Sequence, residues 1–194
     1  MGKRIVIIQG HPDPAGNHYG HALARAYALG ATEAGHEVKQ IDVAQLNFPL
    51  IRTYDEFYSG TLPETLREAQ DAIGWAQHLA LFYPLWSGTM PALFKGFLEQ
   101  VLRPGFAFTE SAEDRMPGKG LTGRSARIVV TMGMPSFIYR WFFHAHGLKG
   151  LEKSILGFCG IKPVRHSLIG MVEENAARRE RWLEKMRELG AKGI

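Results

Sequence analysis

Gly10 to His18 is the first segment of this 194-residue chain whose residue types suit ligand chemistry. It follows the β-branched run Arg4 to Gln9, and Gly16-Asn17-His18 opens a helical pattern. Free backbone N–H groups at a helix start favour an anion such as a phosphate. A simple helix cap by Asn17 is the alternative, and His11 taken alone is typical of a hydrogen-bonding loop residue. The glycine fingerprint of a dinucleotide site and the Walker lysine are both absent.

The second segment follows the apolar run Leu79 to Tyr83 and consists of Pro84, Leu85, Trp86 and Ser87. It offers consecutive backbone amides beside an indole ring. A flat conjugated ring with heteroatoms needs both an apolar surface and main-chain donors. The segment therefore favours a ring-binding site, and a surface turn with a half-buried tryptophan is the alternative.

The third segment follows the run Ala126 to Thr131. It contains a glycine that lets the backbone approach a ligand, and then an aromatic run with a tyrosine and two histidines. The candidate residues are Thr131, Gly133, Met134, Tyr139, His144 and His146. A hydrophobic flap or an oligomer interface is the alternative for the aromatic run from Phe137 to His146.

Strands and helices alternate along the chain around these segments. Five strands are predicted, at Arg4 to Gln9, Glu37 to Asp42, Leu79 to Tyr83, Ala126 to Thr131 and Val164 to Ile169. Helices are predicted between the strands and after the last one, with Pro91 as the first residue of the helix after the third strand. The segments 54–62 and 108–123 are predicted to be long loops. The pattern indicates an α/β, doubly wound parallel sheet in one domain, residues 1–194, with ligands at the carboxyl ends of the strands.

Composition excludes several classes of protein. The single cysteine, Cys159, cannot form an intramolecular disulfide, and the sequence has no Cys/His cluster for a metal. No stretch reaches the ~20 apolar residues of a membrane span, and no signal peptide is recognisable, so we expect a cytoplasmic protein without an integral membrane segment. Net charge is +4, with the positive excess in residues 100–194.

Three further activities are disfavoured by local sequence. Cys159 and Arg165 have the spacing of a phosphatase loop, but Pro163 lacks an N–H, so Cys159 is predicted to be a core residue. Ser87 lacks the G-x-S-x-G motif that surrounds a nucleophilic serine, which argues against a catalytic serine at this position. The basic run 178–181 alternates with glutamates, which argues against a nucleic-acid surface.

Four segments together resemble the NAD(P)H:quinone oxidoreductase family of flavodoxin-like flavoproteins, which includes DT-diaphorase and the modulator-of-drug-activity proteins. They are GHPDPAGNHYGHALA, FYPLWSGTMPALFKGFLEQVLRPGFAF, VVTMGMPSFIYRWFFHAH and FCGIKPVRHSLIG. The second is the most specific, because Pro91, Lys95-Gly96 and Gly105 to Ala107 match the family's spacing. The resemblance covers nearly the whole chain and implies a five-stranded sheet of order 2-1-3-4-5.

The resemblance also implies roles for the candidate residues. His11 and the Gly16-Asn17-His18 turn would hold the flavin pyrophosphate, and Pro84 to Ser87 would hold the isoalloxazine ring. Thr131, Gly133 and Met134 would line the ring's other edge. Tyr139 and a partner histidine, either His144 or His146, would be catalytic: by hydrogen bonding and proton donation they would stabilise the negative charge that develops on the flavin. Glu99 and Arg178 match positions near the adenine when the flavin is FAD.

By the same resemblance, the protein is expected to be a homodimer that reduces quinones or similar acceptors with NAD(P)H. The expected mechanism is ping-pong hydride transfer through a bound flavin, FAD or alternatively FMN. The alternative is a redox-sensing regulatory subunit of a membrane transporter, of the potassium-efflux ancillary type. This chain departs from the family at Gly16-Asn17-His18, where Ser-Phe-Asn is usual, and at Ser87, where a tryptophan is common.

Overall fold

The computed structural model describes residues 2–109 and 118–194. Strands and helices follow one another as β1 (Arg4–Gln9), α1 (Tyr19–Glu33), β2 (Glu37–Asp42), α2 (Tyr54–Tyr58), α3 (Arg67–Trp75), β3 (His78–Pro84), α4 (Ala92–Val101), β4 (Phe108–Thr109), β5 (Gly118–Lys119), β6 (Ser125–Thr131), α5 (Ser136–Trp141), α6 (His146–Lys149), β7 (Val164–Ile169) and α7 (Ala176–Lys192). Short 3₁₀ turns cover Val43–Gln45 and Glu64–Leu66, and a π-helix covers Gly150–Leu156.

Five of these strands form one parallel sheet in the order β2-β1-β3-β6-β7. Counting only these strands, the order is 2-1-3-4-5, so the predicted flavodoxin-like topology is confirmed. Strand β1 lies between β2 and β3, with Ile5 in register with Val38 of β2 and with His78 of β3. The short strands β4 and β5 pair separately as an antiparallel hairpin.

The sheet separates two hydrophobic cores, because side chains alternate between its faces along each strand. Ile5 and Ile7 of β1 pack with residues of α1 and α7. Val6 and Ile8 face the opposite core, which contains α3 and α4. Strand β1 is buried at five of its six positions, as expected when helices cover both faces of a parallel sheet.

Helices α1 and α7 touch through two glycines. A Cβ at Gly30 would lie 2.0 Å from the Arg187 carbonyl oxygen, and a Cβ at Gly190 would lie 2.0 Å from that of Tyr27. Only glycine permits so close an approach of two helix backbones. At the solvent edge of this contact, two guanidinium nitrogens of Arg187 each donate to Glu33 at 2.9 Å.

Two helix starts differ from expectation. Helix α1 begins at Tyr19 with His18 as its N-cap, so a cap by Asn17 is wrong. Helix α4 begins at Ala92, because Pro91 itself has an extended ψ of 147° and serves as the N-cap rather than as the first helical residue.

The two segments predicted to be loops contain some regular structure. The short helix α2 lies within 54–62, and the Thr53 hydroxyl caps it by accepting a hydrogen bond from the Glu56 N–H. The hairpin β4–β5 lies within 108–123, of which 110–117 are outside the described residues. Cys159 is a buried member of the larger core, as predicted, and burial raises the pKa of its thiol to about 11.

Candidate active site at the carboxyl ends of the strands

The carboxyl ends of the central strands are tied together by backbone hydrogen bonds. The Gly10 N–H donates to the Phe82 carbonyl at 2.7 Å, and the Leu85 N–H donates to the Thr131 carbonyl at 2.8 Å. On the outer side, the Met132 N–H donates to Ile169 at 2.9 Å. All three candidate segments therefore meet at one edge of the sheet.

The loop after β1 delivers the start of α1 to this edge. Gly16 has a φ of 68°, a left-handed conformation that glycine adopts without strain. His18 ends the loop without a side-chain cap, and its carbonyl accepts from the amides of His21 and Ala22. The first amides of α1 thus have no partner within the helix and are available to an anion.

Three histidine rings pack at this helix start. The His11 and His18 rings stack with centroids 3.9 Å apart, and the His21 ring lies 5.2 Å from His11. His11 holds the loop through its Nδ1, which accepts from the Asp13 N–H at 3.1 Å. The sequence had not identified His21 as a site residue, and its one-turn spacing from His18 was the only available signal.

The turn after β3 differs from the expected row of free amides. The Trp86 N–H donates to Thr89 and the Thr89 N–H donates to Trp86, both at 2.9 Å. Ser87 and Gly88 occupy the two positions between them with φ of 48° and 80°. This is a tight turn with two left-handed residues. The expectation of consecutive free amides is therefore wrong for Leu85 and Trp86, whose N–H groups bond to protein carbonyls.

Trp86 still offers its ring at this edge. Its side chain is 51% exposed, and its indole lies 6.2 Å from the His11 ring in an edge-on arrangement. Among the described residues, the amides of Ser87 and Gly88 have no hydrogen-bond acceptor. The turn therefore presents an apolar ring beside two available N–H donors.

Tyr139 joins this turn to the segment after β6. It is 1% exposed, its hydroxyl donates to the Gly88 carbonyl at 3.3 Å, and it accepts from the Leu148 N–H at 3.1 Å. Burial raises the pKa of this phenol. A Cβ at Gly147 would lie 2.4 Å from the same Gly88 oxygen, so α6 packs directly on the turn. Tyr139 is thus positioned behind the turn.

His144 and His146 are both exposed, with ring centroids 5.7 Å apart. His144 and Ala145 have left-handed φ values of 52° and 49°, which are strained for residues with a side chain. No hydrogen bond joins either ring to Tyr139 within the part of the chain that the structure describes. The structure therefore does not choose between the two histidines.

Of the remaining residues of the third segment, Thr131 lies beside the start of α1, whereas Gly133 and Met134 lie in the loop after β6. Thr131 is buried, and its Oγ1 lies 3.9 Å from the position of a Cβ on Gly20. Gly133 is exposed and a Cβ there would meet no atom within 4 Å. The Met134 carbonyl accepts from the Met171 N–H at 3.2 Å, which ties this loop to the one after β7.

Glu99 and Arg178 are not brought together. Arg178 lies in the first turn of α7, close to α1, where the Tyr19 hydroxyl donates to the Arg179 carbonyl at 2.8 Å. Glu99 lies late in α4, forms an ion pair with Lys95, and belongs to the helix layer on the other face of the sheet. Of these two residues, only Arg178 therefore lies at this edge of the sheet.

The described residues contain neither a metal-binding cluster nor a membrane-spanning helix. In residues 2–109 and 118–194, no group of three or more His, Cys, Asp and Glu side chains has an arrangement that could hold a metal ion. Within those ranges, no helix combines the length and the apolar character needed to cross a membrane.

Comparison with known proteins gives a consistent result. Residues 3–190 match a family described as having a flavodoxin-like fold. An uncharacterized NAD(P)H oxidoreductase of Haemophilus influenzae is 31% identical over 171 residues, which cover 85% of this chain and 82% of the relative.

Two solved structures share the fold. The NAD(P)H:quinone oxidoreductase of Methanothermobacter marburgensis superposes with a TM-score of 0.81 at 24% identity, over 99% of this chain and 97% of the other. An FMN-dependent NADH-azoreductase of Bacillus anthracis, solved in complex with FMN, has a TM-score of 0.74 at 15% identity, over 99% of both chains.

Proposed function

Because this chain belongs to the flavodoxin-like family of NAD(P)H:quinone oxidoreductases, and is therefore an oxidoreductase, we propose that it reduces quinones or related small acceptors with NAD(P)H through a bound flavin. The observation that carries the proposal is one edge of the sheet at which a helix start, an exposed indole and a two-residue turn meet. An anion and a flat ring are the two parts of a flavin phosphate, and this edge offers a place for each.

The described residues fit such a cofactor at both ends. His21 has two buried ring nitrogens without partners beside the open amides of α1, which suits a phosphate. The half-exposed Trp86 and the amides of Ser87 and Gly88 suit the ring. Thr131 and Gly133 would line its other edge.

FMN is the proposed flavin rather than the FAD that the resemblance led us to expect. Arg178 lies at the edge where an adenine would emerge, whereas Glu99 lies on the opposite face of the sheet. The similarity to the FMN-dependent azoreductase agrees with this choice.

A bound flavin would supply the redox chemistry, a two-electron transfer from NAD(P)H to the acceptor in a ping-pong cycle. The protein supplies position and electrostatics. Tyr139 holds the Gly88 carbonyl and so sets the conformation of the turn, which makes it a positioning residue. The proposed proton donor is either His144, exposed in the loop after α5, or His146, exposed at the start of α6.

The test begins with the purified protein. We expect a yellow protein with a flavin spectrum, and chromatography of the released cofactor should identify FMN. FAD would refute the choice of flavin alone, whereas a colourless protein that takes up neither flavin would overturn the proposal. Oxidation of NADPH and NADH should then be followed with a simple benzoquinone as acceptor.

A matched pair of variants separates the site from the general surface. Trp86→Ala removes the exposed indole at the edge and should weaken flavin binding. Tyr58→Ala removes a partly exposed aromatic residue of α2 and should leave flavin binding unchanged. Equal affinities in the two variants would contradict a ring site at Trp86.

A homodimer is part of the same proposal. Four large aromatic side chains between residues 137 and 143 are from 47% to 76% exposed: Phe137, Trp141, Phe142 and Phe143. Phe137 and Trp141 line one cleft with Leu168 of the edge strand β7, and exposed aromatic side chains in such number are typical of a protein interface. Light scattering should give a dimer at micromolar concentration, and Phe142→Glu should dissociate it. Tyr54→Glu, at a 71% exposed aromatic residue elsewhere, is the control.

The regulatory alternative has no comparable support. Neither the relative nor the two structures described above is named as a transporter subunit. We therefore retain the enzyme alone as the proposed function.

A further inference from the structure

The start of α1 carries a compact group of imidazoles, which we call the histidine cluster: His11, His18 and His21. His11 and His18 stack at 3.9 Å with planes 15° apart, and His21 lies 5.2 Å from the first and 5.9 Å from the second. The cluster adjoins the open amides of the helix. Three groups that can each gain a proton thus lie where the phosphate of a flavin is proposed to bind.

His21 is the member of the cluster whose situation needs an explanation. It is 5% exposed, and neither of its ring nitrogens has a hydrogen-bond partner among the described residues. A buried polar group without a partner costs free energy, so such groups are rare unless something else satisfies them. A protonated imidazole has two N–H donors and no acceptor, which matches the oxygens of a phosphate.

Without an anion, the surroundings of His11 keep it neutral. Burial is the largest effect and repulsion from His18 and His21 adds to it, so that the pKa of His11 falls to about 4 even though Asp13 opposes the shift. Asp13 itself is held by the His18 Nε2 at 2.6 Å and by the Ala15 N–H.

The charges around His21 act in both directions. Burial lowers its pKa, His18 and Arg25 lower it further, and the carboxylates of Asp42 at the end of β2 and Asp13 in the loop raise it. The net shift is downward. The ring is therefore neutral at neutral pH until an additional negative charge arrives beside it.

We propose that the histidine cluster binds the phosphate of the flavin together with a proton, which makes the affinity for a phosphorylated flavin dependent on pH. The dianionic phosphate stabilises an imidazolium that the empty cluster disfavours. Binding then takes up a proton, and by linkage the affinity falls as the pH rises. This inference rests on the proposed function, and it adds a feature of the binding step to it.

The test compares FMN with riboflavin, which has the same ring but no phosphate. Both are titrated into the flavin-free full-length protein between about pH 6.5 and about pH 8, a range above the second phosphate pKa of about 6. The dissociation constant of FMN should rise by up to about tenfold per pH unit, the limit for one proton, while that of riboflavin stays constant. Calorimetry in two buffers of different ionisation enthalpy counts the protons directly.

Two variants locate the proton. His21→Gln keeps a donor and an acceptor but does not titrate, so it should flatten the pH dependence for FMN and leave riboflavin unaffected. His166→Gln, at an exposed histidine on β7, should behave like the natural protein.

The possible results are distinct. Equal pH dependence for FMN and riboflavin in the natural protein would overturn the inference and leave the proposed function standing. Failure of FMN, riboflavin and FAD alike to bind at any pH would overturn the proposed function as well. Unchanged pH dependence in folded His21→Gln would refute the role of His21, and the comparison of the two flavins decides the inference even if that variant does not fold.

Discussion

Acidification is predicted to destabilise this protein through a histidine far from the proposed site. His78 begins β3 and is 0% exposed. Its Nδ1 bonds to the Ser125 hydroxyl at 2.7 Å, while its Nε2 is buried without a partner among the described residues. Burial, reinforced by the nearby charges of Lys3 and Arg127, lowers its pKa to about 3.

The size of the effect follows from the two end states. In the unfolded chain the pKa of a histidine is about 6.5. Between about pH 6.5 and about pH 3, His78 therefore carries a proton in the unfolded chain but not in the folded protein. The contribution of His78 to the free energy of unfolding is complete above about pH 6.5 and is lost as the pH falls. Each pH unit corresponds to about 1.4 kcal/mol, and at about pH 4.5 the loss from His78 alone reaches about 3 kcal/mol.

Urea unfolding of the flavin-free protein at several pH values measures this loss. His78→Gln keeps a hydrogen-bonding group for Ser125 but does not titrate, so its free energy of unfolding should fall less steeply below pH 6.5, by about 1.4 kcal/mol per unit. Contributions from His11 and His21 are common to both proteins and cancel.

His166→Gln, at an exposed position, is the control and should retain the natural slope. Identical slopes in the natural protein and His78→Gln would refute the reasoning. A titration of the His78 ring protons near pH 6.5, observed by NMR in the folded natural protein, would refute it without any variant.

Three further predictions test other parts of the structure. Gly190→Ala should cost about 1–3 kcal/mol in urea unfolding because its Cβ would meet the Tyr27 carbonyl at 2.0 Å, whereas Gly150→Ala, with no atom within 4 Å, should be neutral or slightly stabilising. Tyr139→Phe removes a buried hydroxyl with two hydrogen-bond partners, so it should cost about 1–3 kcal/mol of stability. The variant should still bind flavin but reduce quinones more slowly. Unchanged half-reaction rates in stopped flow would exclude a role of Tyr139 in turnover. Cys159, whose pKa is about 11, should not react with a thiol reagent at about pH 8 until the protein is unfolded, and rapid labelling of the native protein would contradict its burial.

The strands were predictable because their signal is local. Arg4–Gln9, Glu37–Asp42 and Val164–Ile169 have the predicted bounds, since short β-branched or apolar runs end at turn residues. Helix starts were less accurate: the conformations of His18 and Pro91 depend on how the preceding loops cross the sheet edge, and the local pattern does not contain that information.

The candidate site, like the fold, was predicted only in part from the sequence. The sequence identified the three segments that meet at the sheet edge, because parallel topology brings the carboxyl ends of strands together. It did not reveal that the amides of Leu85 and Trp86 are used within the protein, because that depends on a turn whose partners are Thr131 and Thr89.

By itself, then, the sequence determined the alternation of strands and helices, the family, and the segments that carry the chemistry. Each of these follows from patterns within a few residues. Only the tertiary structure decided that Glu99 and Arg178 lie on opposite faces of the sheet, and that His21 packs against His11 with both ring nitrogens unpaired. Burial, and with it the pKa of an imidazole, is set by groups that are distant in the chain and adjacent in space.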